Sequence, residues 1–212
     1  MYLARLVLNP RNNGARGDLD SPYDLHRTLN RAYPGGEPGE NRTLFRIEPD
    51  RPQDEGRTVL LQSSDVRPDL SFLENSAGGP EPYCHDWSEP KEIDPSFTEG
   101  QQLAFRLLGN PTKSVDGKRI ALTDEEDYYD WLERKASMHG FEVAYAHPTP
   151  FWINGDQEDK DTYEKREIPH FAVRYDGLLQ VTGPKRLRET LASGIGPAKA
   201  FGFGLLTLAP PR

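Results

Sequence analysis

The sequence predicts an α+β fold in two domains with antiparallel sheets, and three observations carry that expectation. A strand, helix, strand, strand order runs from residue 3 to residue 63 and starts again at residue 101. Apolar residues make up 35% of the 212 and mean hydropathy is −0.77, which suits two thin cores better than one thick one. Between the two rounds, residues 75–100 hold Gly78, Gly79, Pro80, Pro82, Pro90 and Pro95, the composition of a connecting loop.

Each element has a local reason. LARLVL (3–8) is aliphatic and β-branched and reads as a strand before the turn cluster NPRNNG. In SPYDLHRTLNRAY (21–33), Ser21 caps a helix and Pro22 suits its first position, where a missing N–H costs nothing. Leu25, Leu29 and Ala32 line one side of that helix, and Tyr23, His26, Arg27 and Asn30 line the other. Residues 34–40 read as a loop, 43–48 and 57–63 as strands with a turn between them, and 68–74 as a weak helix.

In the second round, 101–109 is a strand, 110–118 a turn and 119–122 a returning strand. Thr123 and Glu126 have capping-box spacing for a helix that reaches about His139 and stops at Gly140. Residues 143–153 are extended, and the charged stretch after them reads as a protruding hairpin or loop. HFAVRY (170–175) and LLQV (178–181), joined by Asp176–Gly177, have the pattern of a hairpin. A helix over 184–193, a glycine-rich turn and the strand GLLTLAP complete the chain. The doubled order is that of two tandem ferredoxin-like βαββαβ domains, expected over residues 1–90 and 91–212.

No apolar run reaches the roughly 18 residues a membrane helix needs, and the lone Cys84 forbids an internal disulfide. A soluble, cytoplasmic protein without a membrane partner is expected. Net charge is −8, but it is segregated. Residues 36–100 and 124–167 carry −9 and −8, whereas 1–35, 101–123 and 168–212 carry +2, +3 and +4. The three basic segments hold every motif of interest, an arrangement compatible with an anionic partner despite the overall sign.

The polar face of the 21–33 helix groups a phenol, an imidazole, a guanidinium and an amide, a set suited to holding a phosphate and moving a proton beside it. A solvated face of an amphipathic helix has the same pattern. SGIGPAKAFGFG places Gly194, Gly196, Gly202 and Gly204 around Lys199, a stretch able to nest an anion or simply to cap a helix. It lacks the Gly-Lys-Ser/Thr of a P-loop, and Lys199 stands where a dinucleotide fingerprint needs its third glycine. Cys84 and His85 have no second Cys or His at ligand spacing. His139, His147 and His170 read as structural, and the acids of 124–130 as favourable to a helix start.

Read jointly, PYDLHRTL and GIGPAKAFGFGLLTLAP resemble the CasE family, the CRISPR-associated endoribonuclease subunit of the Type I-E Cascade complex. FRLLGNPTK (105–113) and MYLARLVL extend the resemblance over essentially the whole chain. It implies two tandem ferredoxin-like domains and cleavage of a CRISPR repeat transcript at the 3′ base of its stem-loop, with neither metal nor other cofactor. The 2′-hydroxyl attacks the adjacent phosphate, leaving a 2′,3′-cyclic phosphate and a 5′-hydroxyl, and the product stays bound as mature guide RNA. The implied partners are the repeat stem-loop and other Cascade subunits.

The family's catalytic histidine matches His26 and its tyrosine matches Tyr23. His26 either protonates the leaving 5′-oxygen or deprotonates the 2′-hydroxyl, whereas Tyr23 is a poorer base near neutrality and better suited to orienting. Arg27 offers a donor fork to the phosphate, and Lys199 with the four loop glycines would hold RNA backbone. The family's basic groove-entering hairpin matches Asn154–Glu167, which here has Lys160, Lys165 and Arg166 among six acids, a departure from the pattern. Lys113, Lys118, Arg119, Lys185, Arg186 and Arg188 are further RNA-binding candidates. The alternatives from other classes are a non-catalytic RNA-binding scaffold and an acidic protein-interaction module in residues 36–100.

Overall fold

A computed structural model describes residues 1–33, 42–50, 55–74, 80–158, 165–167 and 169–211. The expected loop at 34–40, part of the turn at 48–56, Gly78, Gly79 and Lys160 lie outside the described residues. Two compact units emerge. One comprises Met1–Asp94, Asn154–Ile168 and Ala200–Gly202, and the other Pro95–Ile153, Pro169–Lys199 and Phe203–Arg212.

The first unit opens with β1 (Tyr2–Leu8), α1 (Asn13–Asp20), α2 (Pro22–Asn30), β2 (Thr43–Ile47) and β3 (Arg57–Ser63). A single 3-10 turn at Ser71–Leu73 follows, where the sequence predicts a weak helix, then β4 (Cys84–Trp87) and β5 (Lys91–Glu92). The antiparallel sheet has the order β2-β3-β1-β4, and β5 also pairs with β1. Its core gathers Leu6, Leu8, Phe45, Val59 and Leu61 from the sheet with Ala15, Leu25, Leu29 and Ala32 from the helical segment, all 0–1% exposed. Burying each such leucine or phenylalanine favours folding by about 1.5–3 kcal/mol.

Two expectations are corrected in this unit. The turn cluster at 9–14 leads directly into α1, because the Asn12 side chain accepts from the Ala15 amide at 3.0 Å and Ala15 is buried against the core. That helix is polar and contains Gly14 and Gly17, so its periodicity is faint. The loop expected at 75–100 contains β4 and β5, a broken edge strand interrupted near Pro90. The cap at Ser21 matches its expectation, with its hydroxyl accepting from the Asp24 amide at 3.4 Å.

The second unit begins with β6 (Gln102–Gly109), the hairpin β7 (Thr112–Val115) and β8 (Lys118–Ala121), α3 (Glu125–Met138) and β9 (Phe141–Ile153). Next along the chain, β10 (Asp156–Glu158) and β11 (Lys165–Glu167) form an antiparallel pair within the first unit. Then come β12 (His170–Val181), α4 (Pro184–Ser193), a 3-10 turn at Lys199–Phe201 and β13 (Leu206–Ala209). The sheet order is β13-β6-β12-β9, antiparallel throughout. Tyr175 stacks on Trp131 of α3 with ring centroids 6.2 Å apart, and its hydroxyl donates to the Tyr128 carbonyl at 2.9 Å.

Here three local expectations are corrected. Residues 110–118 are not merely a turn: β7 and β8 pair around Asp116–Gly117, both at positive φ. Asp124, not Thr123, is the N-cap of α3, and no side-chain hydrogen bond closes it. The hairpin expected at Asp176–Gly177 is instead the middle of one continuous strand, β12. The Asp176 carboxylate is held by Arg106 Nε at 2.5 Å and Arg174 Nε at 2.9 Å. Gly177 is there for space, since a Cβ would fall 2.0 Å from the Tyr145 carbonyl oxygen of β9. No helix among the described residues is long and apolar enough to cross a membrane.

Candidate active site

Helix α2 positions the candidate catalytic pair. Ser21 and Pro22 fix its start, and the buried Leu25 and Leu29 pin one face to the core. The 3.6-residue period then leaves Tyr23, His26 and Asn30 half-exposed and Arg27 exposed.

His26 sits against Phe45 of β2, with ring centroids 6.1 Å apart and an interplanar angle of 34°. Burial alone pushes its pKa below the usual histidine value, because the half-apolar surroundings penalise the imidazolium. Most rings are therefore neutral at pH 7. One turn on, Asn30 Nδ2 lies 3.4 Å from His26 Nδ1. Tyr23 packs on Phe201, with centroids 5.5 Å apart at 31°. Next to Phe201, Gly202 has φ +85° and faces the Phe45 ring, where a Cβ would meet the ring edge at 3.2 Å. Within the first unit, then, Phe201 and Gly202 of the closing glycine stretch contact Tyr23 and the aromatic ring behind His26.

Arg27 is only loosely tied, its guanidinium 3.6 Å from Asp24 and its side chain 65% exposed. With Arg31, Asn13, Asp18 and Asp20 it lines an open groove of about 680 Å³ along α1 and α2.

The other expected site residues lie on several separate elements. Gly194, Gly196, Gly202 and Gly204 all have positive φ. Gly194 ends α4, its amide donating to the Thr190 carbonyl at 2.7 Å, and Gly196 lies against Trp131. Lys199 turns its ammonium back to donate to the Gly196 carbonyl at 2.6 Å. Lys113, Lys118 and Arg119 are exposed on the β7–β8 hairpin, with Lys113 and Lys118 on one face and Arg119 on the other. Lys165 and Arg166 belong to β11, pairing with Glu158 and Gln157. Lys185, Arg186 and Arg188 lie on α4, where Lys185 is 4.0 Å from Glu189. Phe45 and Phe201 are the site residues that sequence reasoning missed: one reads as strand core, the other as part of a glycine turn.

A protein-family model described as CRISPR associated protein matches residues 1–210. The chain belongs to that family. Its similarity to the CRISPR-associated endoribonuclease Cse3 of Thermus thermophilus is 38% identity over 221 residues, covering 99% of this chain and 100% of the relative. It is also 27% identical to the CRISPR system Cascade subunit CasE of Escherichia coli, over 99% of this chain and 100% of that one. The structure of T. thermophilus Cse3 bound to an RNA representing a pre-cleavage complex matches with TM-score 0.82 at 36% identity, over 99% of this chain and 98% of the other. The resemblance to CasE read from the sequence therefore extends along the whole family member.

Proposed function

We propose that this chain is the CRISPR RNA-processing endoribonuclease of a Cascade complex, cutting the repeat transcript at the base of its stem-loop and retaining the product as guide RNA. The names of its relatives support endoribonuclease activity and Cascade membership. The mechanism is general acid–base chemistry without a metal. The 2′-hydroxyl oxygen bonds to the adjacent phosphorus as its proton leaves. The bond from phosphorus to the 5′-oxygen breaks, and that oxygen takes up a proton. A 2′,3′-cyclic phosphate and a 5′-hydroxyl result.

His26 carries one of those two proton transfers, help typically worth about 10²–10⁴-fold. Tyr23 orients the linkage by a hydrogen bond, and the exposed Arg27 guanidinium meets the charge that develops on the phosphate. Lys113, Lys118, Arg119, Lys160, Lys165, Arg166, Lys199 and the four glycines of the closing stretch serve RNA binding. The chain is read as two ferredoxin-like domains, the first (1–90) carrying the catalytic helix and the second (91–212) the charged hairpin and the glycine-rich loop. Their sheet orders support this, since each runs fourth, first, third, second in its own strand sequence once β5 and the two small hairpins are set aside.

One observation carries the reading. Tyr23 and His26 share a face of α2, and Phe201 and Gly202 of the glycine-rich motif pack on Tyr23 and on the ring behind His26. Incubation with the repeat RNA in excess EDTA tests it. Cleavage with a cyclic phosphate end is expected, and an uncut RNA or a 3′-hydroxyl end contradicts the mechanism.

A further inference from the structure

We infer that Asn30 is a positioning residue for His26, an assignment that rests on the nuclease reading above. The two side chains stand one helical turn apart, and the amide nitrogen of Asn30 lies 3.4 Å from Nδ1 of the imidazole. With the amide NH₂ turned toward the ring, Nδ1 offers its lone pair and the proton of the neutral ring sits on Nε2. Phe45 limits the ring on its apolar side. With Nδ1 engaged by the helix, Nε2 is the atom left to face the ribose–phosphate linkage.

The choice of an amide has a chemical consequence. A neutral imidazole in the Nε2–H tautomer needs a donor at Nδ1, and an imidazolium needs an acceptor there. Asn30 supplies either by turning its amide end over end, so it orients the ring in both protonation states without fixing the charge. Aspartate at the same place only accepts, so it would favour a proton on Nδ1, in the imidazolium or in the Nδ1–H tautomer, and alanine would satisfy neither. Among the described residues, Asn30 is the side chain within hydrogen-bond distance of the His26 ring. The ring's neighbours along α2 include Tyr23 and Arg27 with the Asp24 that Arg27 approaches, and β2 contributes the Phe45 ring, which does not titrate. The displacement of His26 from its usual pKa arises from burial rather than from a charged neighbour.

The test follows His26 ring nitrogens by NMR through a pH titration of the RNA-free protein, in the wild type, Asn30→Asp and Asn30→Ala. The wild type should show the Nε2–H tautomer when neutral. Asn30→Asp should raise the His26 pKa by about one unit or more, and Asn30→Ala should lose the tautomer preference. Single-turnover cleavage should follow: the limb of the pH–rate profile set by His26 moves up with Asn30→Asp, and Asn30→Ala slows cutting about tenfold at pH 7 with repeat affinity unchanged. A tautomer and pKa unmoved in both variants overturn the inference while a dead His26→Ala keeps the nuclease reading intact. A His26→Ala protein that cuts at the wild-type rate removes that reading, and the role of Asn30 with it.

Discussion

Replacing Gly202 with alanine probes the contact between the closing glycine motif and Phe45 of β2, the ring behind His26. Two costs are separable in the structure. Gly202 has φ +85°, where an L-residue is strained by about 1–2 kcal/mol. The added methyl would also lie 3.2, 3.5 and 3.7 Å from three atoms of the Phe45 ring. Only the first of these is tighter than ordinary contact, and a shift of a few tenths of an ångström relieves it. Backbone strain should therefore dominate, giving a loss of about 1–2 kcal/mol in urea unfolding with an unchanged m-value. A cycle with Phe45→Leu isolates the crowding, and the coupling between the two substitutions should stay below about 0.5 kcal/mol. His26 feels only the small ring shift, so cleavage should fall by less than about tenfold, against the ~10²-fold expected for a 1 Å misplacement. A Gly202→Ala protein as stable as the wild type, or a coupling above about 1 kcal/mol, refutes this apportioning.

Gly177→Ala should be more damaging, about 3 kcal/mol in the same assay, because the new methyl meets the backbone of β9 rather than a movable side chain; a loss under about 0.5 kcal/mol contradicts the close approach. Stability should also depend on pH in a definite direction. Burial lowers the pKa of His26, His139 and His170, with nearby Lys135, Lys199 and Arg186 adding to the effect on His139. Between those folded-state values and the unfolded ~6.5, the unfolded chain binds more protons. Their contribution is therefore complete above about pH 6.5 and lost as pH falls. The urea midpoint should drop from pH 7.5 to pH 5.5, and a flat or rising midpoint counts against it.

Much of the fold was legible where local signals agree with tertiary packing. Ser21, Pro22 and the leucines of α2 state the same helix through capping, φ preference and periodicity, and the structure follows them. The resemblance to CasE was legible because two motifs, one near each end, are long and specific. Elsewhere local chemistry misled. Asp176–Gly177 has the composition of a turn, but Arg106 and Arg174 hold the aspartate and β9 crowds the glycine, needs set by strands distant in sequence. Helix α1 was invisible because its only buried residue is Ala15 and its start depends on an asparagine in a segment that reads as a turn. At the site, the face of α2 could be read from spacing, whereas the packing of Phe201 on Tyr23 joins residues far apart in the chain.

On the proposed mechanism, cleavage requires the imidazole of His26 to do chemistry and not merely to fill space beside Phe45. Single-turnover cleavage and equilibrium binding of the repeat stem-loop by His26→Ala, measured side by side with the wild type in EDTA, test this most directly. The expected result is cutting slowed by about 10²-fold or more at nearly unchanged affinity. Cutting at the wild-type rate, or a loss of rate fully explained by lost binding, would contradict a catalytic role for the ring.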